Sequence, residues 1–103
     1  MATGSLVAAK ERISCFMIGA IVAKNTSLAL EAIYDRKQEE ARTRIANAIN
    51  ELETNQTPCL TEDYKENVLE DLHEAYDKVK KQDFDGAEIR LRTMLTSYPL
   101  DNL

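Results

Sequence analysis

The sequence predicts an all-α protein, with one domain over residues 1–103 folded as a small antiparallel bundle of three or four helices and no sheet. Glycine and proline, which break helices, number only 3 and 2. Hydrophobic residues make up 44% of the chain and aromatic residues 6%, which suits helix packing through Ala, Leu and Ile better than a sheet. Because 103 residues bury only a modest core, we expect a second chain to add stability.

The first predicted helix, residues 5–24, contains an uncharged run from Ile13 to Ala23 in a chain of which 30% of residues are charged. At about 100° per residue, apolar side chains fall on two opposite sides of this helix. One side, which includes Phe16 and Met17, continues the apolar stripe of the next segment. The other side has no evident partner inside the chain, so we expect another copy or another protein to bind there. Its residues are Cys15, Ile18 and Val22.

The uncharged run holds 23 − 13 + 1 = 11 residues. A membrane-spanning helix needs roughly 20, so no membrane span is predicted. A signal peptide is the alternative interpretation, because Lys10 and Arg12 precede the run and Ala23 ends a tolerable cleavage site. Glu11 disfavours it, and the predicted location is cytoplasmic.

The second segment, residues 27–53, has apolar residues at the i, i+3, i+4 spacing of an amphipathic helix. They are Leu30, Ile33, Tyr34, Ala41, Ile45, Ala48, Ile49 and Leu52. The interruption at residues 24–27 contains poor helix formers but neither glycine nor proline. Two helices and one long bent helix over residues 5–53 therefore both fit. The long helix would measure about 70 Å, which a lone small domain could not cover.

Pro58 predicts a loop at residues 55–60, after which Thr61 caps a third helix over residues 62–81. Asp83 caps a fourth helix over residues 84–98. Each helix has one narrow apolar stripe, as expected of a packing surface. The two stripes are Tyr64, Val68, Leu72, Ala75, Tyr76 and Val79, and Phe84, Ala87, Leu91, Met94, Leu95 and Tyr98.

The last two predicted helices carry a spaced set of small, apolar and turn residues. The set is Ala75, Asp83-Phe84, Ala87, Leu91, Leu95 and Pro99. With this spacing, residues 66–99 resemble one tetratricopeptide-type helical hairpin. Glu74 and Lys78 depart from the large residue and the tyrosine of that family, and no second copy follows, although such repeats stack in series. The resemblance implies protein binding.

Negative charge is concentrated in the third helix. Residues 62–77 contain seven carboxylates and one lysine, a net charge of 1 − 7 = −6, whereas the whole chain carries −5. An acidic surface repels phosphate backbones, so no nucleic-acid partner is predicted. We expect partners with a basic or apolar helical surface; the alternative is that this is a solvated helix face without a partner.

The two cysteines, Cys15 and Cys59, form no Cys-x-x-Cys unit of the kind found in metal and redox sites. We interpret both as free thiols, which is typical of a reducing compartment. A disulfide between them is the alternative.

Glu70 and His73 form a Glu-x-x-His unit, as found in di-iron carboxylate bundles. A second chain would have to repeat the unit, and Glu31 could add carboxylates. On a helical projection, however, both residues point away from the apolar stripe of their helix. They are therefore predicted to be surface residues, and neither a metal nor a cofactor is expected.

The sequence lacks the patterns of known catalytic sites, such as a glycine-rich phosphate loop or a nucleophile with a nearby base. We therefore predict no enzyme but a protein–protein interaction module, such as an adaptor, small chaperone, immunity protein or inhibitor, acting as a homodimer or larger oligomer. Met17, Ile89 and Met94 are expected to add adaptable apolar contacts. The alternative is a ligand or metal binder with a site between chains. That site would use Glu31, Glu70 and His73, or Lys24 and Arg42 for an anion.

Overall fold

The computed structural model describes the backbone of residues 2–55, 60–98 and 100, and the side chains from residue 15 onward within those ranges. This part of the chain contains four helices and no strand, which confirms the predicted all-α class. The helices are α1 (Ala2–Tyr34), α2 (Gln38–Thr54), α3 (Glu62–Lys80) and α4 (Phe84–Ser97). Pro58 and Cys59, in the predicted loop, lie outside the described residues.

The four helices form an antiparallel bundle. Helices that follow one another in sequence pack side by side through short connections, and α1 also packs against α4, which closes the ring. Every helix contributes to one core. Its large members are Val22, Ile33, Ile45, Leu52, Val68, Leu72, Val79, Leu91, Met94 and Leu100.

The first helix is longer than its neighbour by 33 − 17 = 16 residues. At 1.5 Å per residue this difference is about 24 Å. It accounts for the elongated shape, 54 × 22 × 21 Å. Among the described side chains of α1, residues 15–34, one side packs against the bundle.

The break between the first two helices lies at residues 35–37, so both a break at residues 24–27 and an unbroken helix to residue 53 were wrong. Asn25 and Thr26 are accommodated because their side chains donate to carbonyl oxygens one turn earlier. The Asn25 amide lies 3.0 Å from the Ile21 oxygen, and the buried Thr26 hydroxyl lies 2.8 Å from the Val22 oxygen. Bonded in this way, both polar side chains find a partner within the helix, including the buried hydroxyl of Thr26.

The first and third helices end in the same way, with a residue in the left-handed region. Arg36 has φ 59° and Gln82 has φ 63°. After α1, the Lys37 N–H donates to the Ala32 oxygen at 2.8 Å and the Arg36 N–H to the Ile33 oxygen at 3.1 Å. The equivalent pair of bonds follows α3, so both ends are Schellman motifs. Neither connection contains glycine or proline, which is why the sequence did not reveal the first one.

The caps predicted for α3 and α4 are present. The Tyr64 N–H donates to the Thr61 hydroxyl at 3.1 Å, and the Gly86 N–H donates to the Asp83 carboxylate at 3.0 Å. A Cβ atom at position 86 would collide with that carboxylate, so the glycine makes room for the cap.

Both turns lie at the same end of the bundle and are bound to each other. The Gln38 side-chain amide donates to the carbonyl oxygens of Val79 and Lys80, at 3.1 Å each. The Arg36 guanidinium stands 5.2 Å from the centre of the Phe84 ring and 3.7 Å from the Asp85 carboxylate. The first hairpin thus supplies hydrogen bonds to the last carbonyls of α3, which no helix can satisfy by itself.

Cys15 is fully buried and forms a disulfide, so its interpretation as a free thiol was wrong. Cys59 is the only other cysteine in the sequence, and 59 − 15 = 44 residues separate the two. At such a separation no local spacing distinguishes a disulfide from two unrelated thiols, so only the fold reveals it.

One helical stretch, Cys15–Tyr34, is long and apolar enough to cross a bilayer by length and composition, with a mean hydropathy of 1.4. Core helices of soluble proteins and signal sequences near the N-terminus pass the same test, so it is weak evidence. The absence of a membrane span stays a prediction.

Candidate functional site

The outward side of α1 is the main apolar surface of the described chain. Phe16 and Met17 are 54% and 56% exposed, Ile21 is 38% exposed, and Tyr34 is 84% exposed. Between these apolar residues lie the exposed side chains of Lys24, Ser27 and Glu31. We call this surface the outer stripe. It comprises Phe16, Met17, Ala20, Ile21, Lys24, Ser27, Glu31 and Tyr34.

The opposite side of α1 holds the outer stripe in place because it is part of the core. Cys15, Ile18, Val22, Ala29 and Ile33 are all buried there. The expectation that this side would have no partner inside the chain was therefore wrong. It depended on a helix continuing straight to residue 53, whereas α1 ends at Tyr34 and α2 approaches from the other side.

The predicted interface residues divide into two groups. Cys15, Ile18, Val22 and Met94 are buried inside the chain, so a partner docking on the folded bundle cannot reach them. Met17 and Ile89 are exposed, but the structure does not bring them together. Ile89 lies on α4 in a shallow depression next to Lys78 and Arg90.

The groove between α2 and α3 contains Arg42, which together with Lys24 is the candidate anion site predicted from the sequence. Its guanidinium donates to the Tyr76 hydroxyl at 3.2 Å and lies 5.5 Å from the centre of that ring. This hydrogen bond raises the pKa of Arg42 above its usual value. Lys24 lies on the outward side of α1, so the two cations face different parts of the surface. The Arg42 guanidinium is thus bound to Tyr76 of the same chain.

The candidate metal ligands are also dispersed. His73 on α3 lies 3.4 Å from the carboxylate of Glu53 on α2, whereas Glu31 lies on α1. Glu70 makes no ion pair within the described residues. Among those residues, no three His, Cys, Asp or Glu side chains come together as a metal site. Sequence reasoning did not identify Glu53, because its proximity to His73 arises from packing of α2 on α3.

The acidic segment of α3 is partly neutralised by α4. The Arg90 guanidinium bonds the Asp71 carboxylate at 3.2 Å and also pairs with Glu74. Partial burial nevertheless raises the pKa of Asp71, and the charge of Arg90 only partly opposes this effect. Glu66, Glu70 and Asp77 remain exposed on the outward side of the helix. Together with the exposed Glu62 and Asp63 in the first turn of the helix, they make up what remains of the predicted acidic face.

Most exposed large apolar residues of the described surface therefore lie on the outer stripe, toward its two ends, with Lys24, Ser27 and Glu31 between them. The hairpin of α3 and α4, which contains residues of the tetratricopeptide-type resemblance, packs inside a closed ring of four helices. Comparisons of the chain with protein-family models, with curated proteins and with solved structures find no match.

Proposed function

We propose that the protein is a non-catalytic interaction module that works as a helical homo-oligomer, with the outer stripe of α1 as its contact surface. The observation that supports this most is the pair Phe16 and Met17, each more than half exposed on a helix whose other side is in the core. Phenylalanine and methionine are enriched at protein interfaces. Covering them would remove apolar area from water at about 25 cal/mol per Å².

The packing of α1 favours such a role because the helix that carries the surface is anchored in the core on its other side. The disulfide at Cys15 and the buried Ile18 and Val22 fix the helix at the point where Phe16 and Met17 project outward. A surface that is ordered in the free protein loses less entropy on association. The exposed carboxylates of α3 would then offer a second surface, suited to a basic partner.

The disulfide also bears on where the protein works. The cytoplasmic location predicted from the sequence depended partly on free thiols, and Cys15 is disulfide-bonded. Disulfides persist in oxidising compartments and are rare in the cytosol. We therefore favour an oxidising compartment for this module.

Light scattering at micromolar concentration tests the proposal. We expect a mass of at least twice 11.6 kDa for the wild type. Met17→Glu should lower it to that of one chain, because the new charge would lie inside the contact. Ile89→Glu is the matched control, since Ile89 is also exposed but lies on α4, and it should leave the mass unchanged. A folded wild-type monomer would overturn the homo-oligomer.

A further inference from the structure

We propose that two copies of this chain pair through α1 in antiparallel orientation, with the two-fold axis crossing the helix between Lys24 and Ser27. In this arrangement Lys24 of each copy reaches Glu31 of the other, and Met17 packs on the other copy's Tyr34. The inference rests on the proposed homo-oligomer and specifies its contact.

The spacing of the outer stripe is that of a coiled-coil contact. Six of its positions follow one another at intervals of three and four residues, and none of the six is buried in the bundle. They are Met17, Ala20, Lys24, Ser27, Glu31 and Tyr34. Intervals of three and four follow one side of a helix, and two helices pack along such a line where apolar residues occupy it. Here Met17, Ala20 and Tyr34 are apolar, whereas Lys24, Ser27 and Glu31 are polar, so the line offers apolar contacts toward its ends and charged contacts between them.

The charges on this line select the orientation. Lys24 and Glu31 lie seven residues apart on one side of the helix, and neither forms an ion pair with a described residue. In a parallel pair, Lys24 would face Lys24 and Glu31 would face Glu31, which is repulsive at both levels. In an antiparallel pair each lysine meets a glutamate, and the two-fold axis repeats that contact. Like charges therefore exclude the parallel pair, and opposite charges favour the antiparallel one.

Side-chain size sets the register along the helix. With the axis between Lys24 and Ser27, Lys24 lies opposite the small Ser27 of the other copy. This leaves room for its side chain to extend one turn further, to Glu31. The same register places Met17 level with Tyr34, the most exposed large apolar side chain in the described part of α1. A thioether against an aromatic ring is a favourable contact, and it would cover both ends of the stripe.

Charge reversal tests this arrangement through the dimer dissociation constant, measured by sedimentation equilibrium. Lys24→Glu and Glu31→Lys should each raise the constant about tenfold or more, because the symmetry turns two attractive contacts into two repulsive ones. The variant with both changes should return to within about threefold of wild type, and a mixture of the two single variants should form heterodimers. In both combinations each lysine again faces a glutamate.

The same set of variants serves as a control for the effect of net charge on dimerisation. The single changes give −5 − 2 = −7 and −5 + 2 = −3, whereas the double change keeps −5. Lys80→Glu and Glu66→Lys on α3 alter the net charge equally at exposed sites away from α1, and should leave the dissociation constant unchanged. All the substituted residues are exposed, so circular dichroism should show folded protein throughout.

The outcomes separate this inference from the function on which it rests. A wild-type dimer whose dissociation constant does not respond to either single variant overturns the Lys24–Glu31 contact and leaves the homo-oligomer standing. The same holds if the single variants weaken the dimer but the double variant fails to restore it. A monomeric wild type overturns both.

Discussion

Helices α1 and α3 show two different ways of specifying a helix. In α3 the information is local: a Thr61 cap, two carboxylates in the first turn, two lysines in the last turn and one buried stripe. In α1 no acidic residue lies in the first turn, no basic residue lies in the last turn, and apolar residues occur on opposite sides. The sequence of α3 therefore determines which side is buried, whereas for α1 the neighbouring helices and the disulfide decide it.

The largest expected effect contrasts the two sides of α1. Val22→Asp should destabilise the protein by about 3–5 kcal/mol, because it leaves an unpaired charge in the core. Met17→Asp, five residues earlier on the exposed side, should change the free energy of unfolding by less than about 0.5 kcal/mol. Urea denaturation at a concentration low enough to exclude association measures both. Equal losses would mean that the two sides of α1 do not differ as described.

The next effect concerns the disulfide that α1 has and α3 lacks. Reduction of the wild type should lower the free energy of unfolding by about 2–4 kcal/mol, the usual range for a native disulfide. Urea denaturation with and without reductant measures it. The Cys15→Ala variant is the control, since it has no disulfide to lose and should respond to reductant hardly at all. A wild type indifferent to reductant would contradict the role given to the disulfide in fixing α1.

The smallest effect compares how the two helices end. Gln82→Gly should raise the free energy of unfolding by about 0.5–1 kcal/mol, because glycine adopts φ 63° without the steric cost of a Cβ atom. Arg36→Gly should raise the free energy of unfolding by less, because it also removes the stacking on Phe84 and the ion pair with Asp85. Thermal melting compares the two variants. A larger gain for Arg36→Gly would show that these contacts contribute nothing at the end of α1.

The contrast between α1 and α3 also explains which parts of the fold could be predicted from the sequence. For α3 and α4 the caps at Thr61 and Asp83 and the stripes through Leu72 and Leu91 were foreseen, because each depends on residues within a turn or two. The α1–α2 break was missed because a non-glycine residue, Arg36, takes the left-handed conformation there. Local sequence cannot show that the side chains of Arg36 and Gln38 make four contacts with the second hairpin that stabilise this turn.

The candidate surface was foreseen only in part. The sequence identified the apolar run, its two sides and Met17 as an expected contact residue. It assigned the side of Cys15, Ile18 and Val22 to a partner, whereas the structure buries that side and exposes the side of Phe16 and Met17. Both sides of the run are about equally apolar, so hydrophobic periodicity alone could not distinguish them. The choice depends on where α1 ends and on the disulfide at Cys15, and both become visible only when the helices are assembled.

The side chain of Gln38 has a consequence for how the bundle unfolds. Its amide donates to the Lys80 oxygen and also to the Val79 oxygen, which already accepts from the Gln82 N–H, so the second hairpin in isolation would leave the Lys80 oxygen to solvent. We therefore expect that neither hairpin unfolds as an independent cooperative unit. Amide hydrogens of the first and second hairpins should exchange with solvent deuterium through one shared opening reaction rather than two, which makes the pair a single foldon.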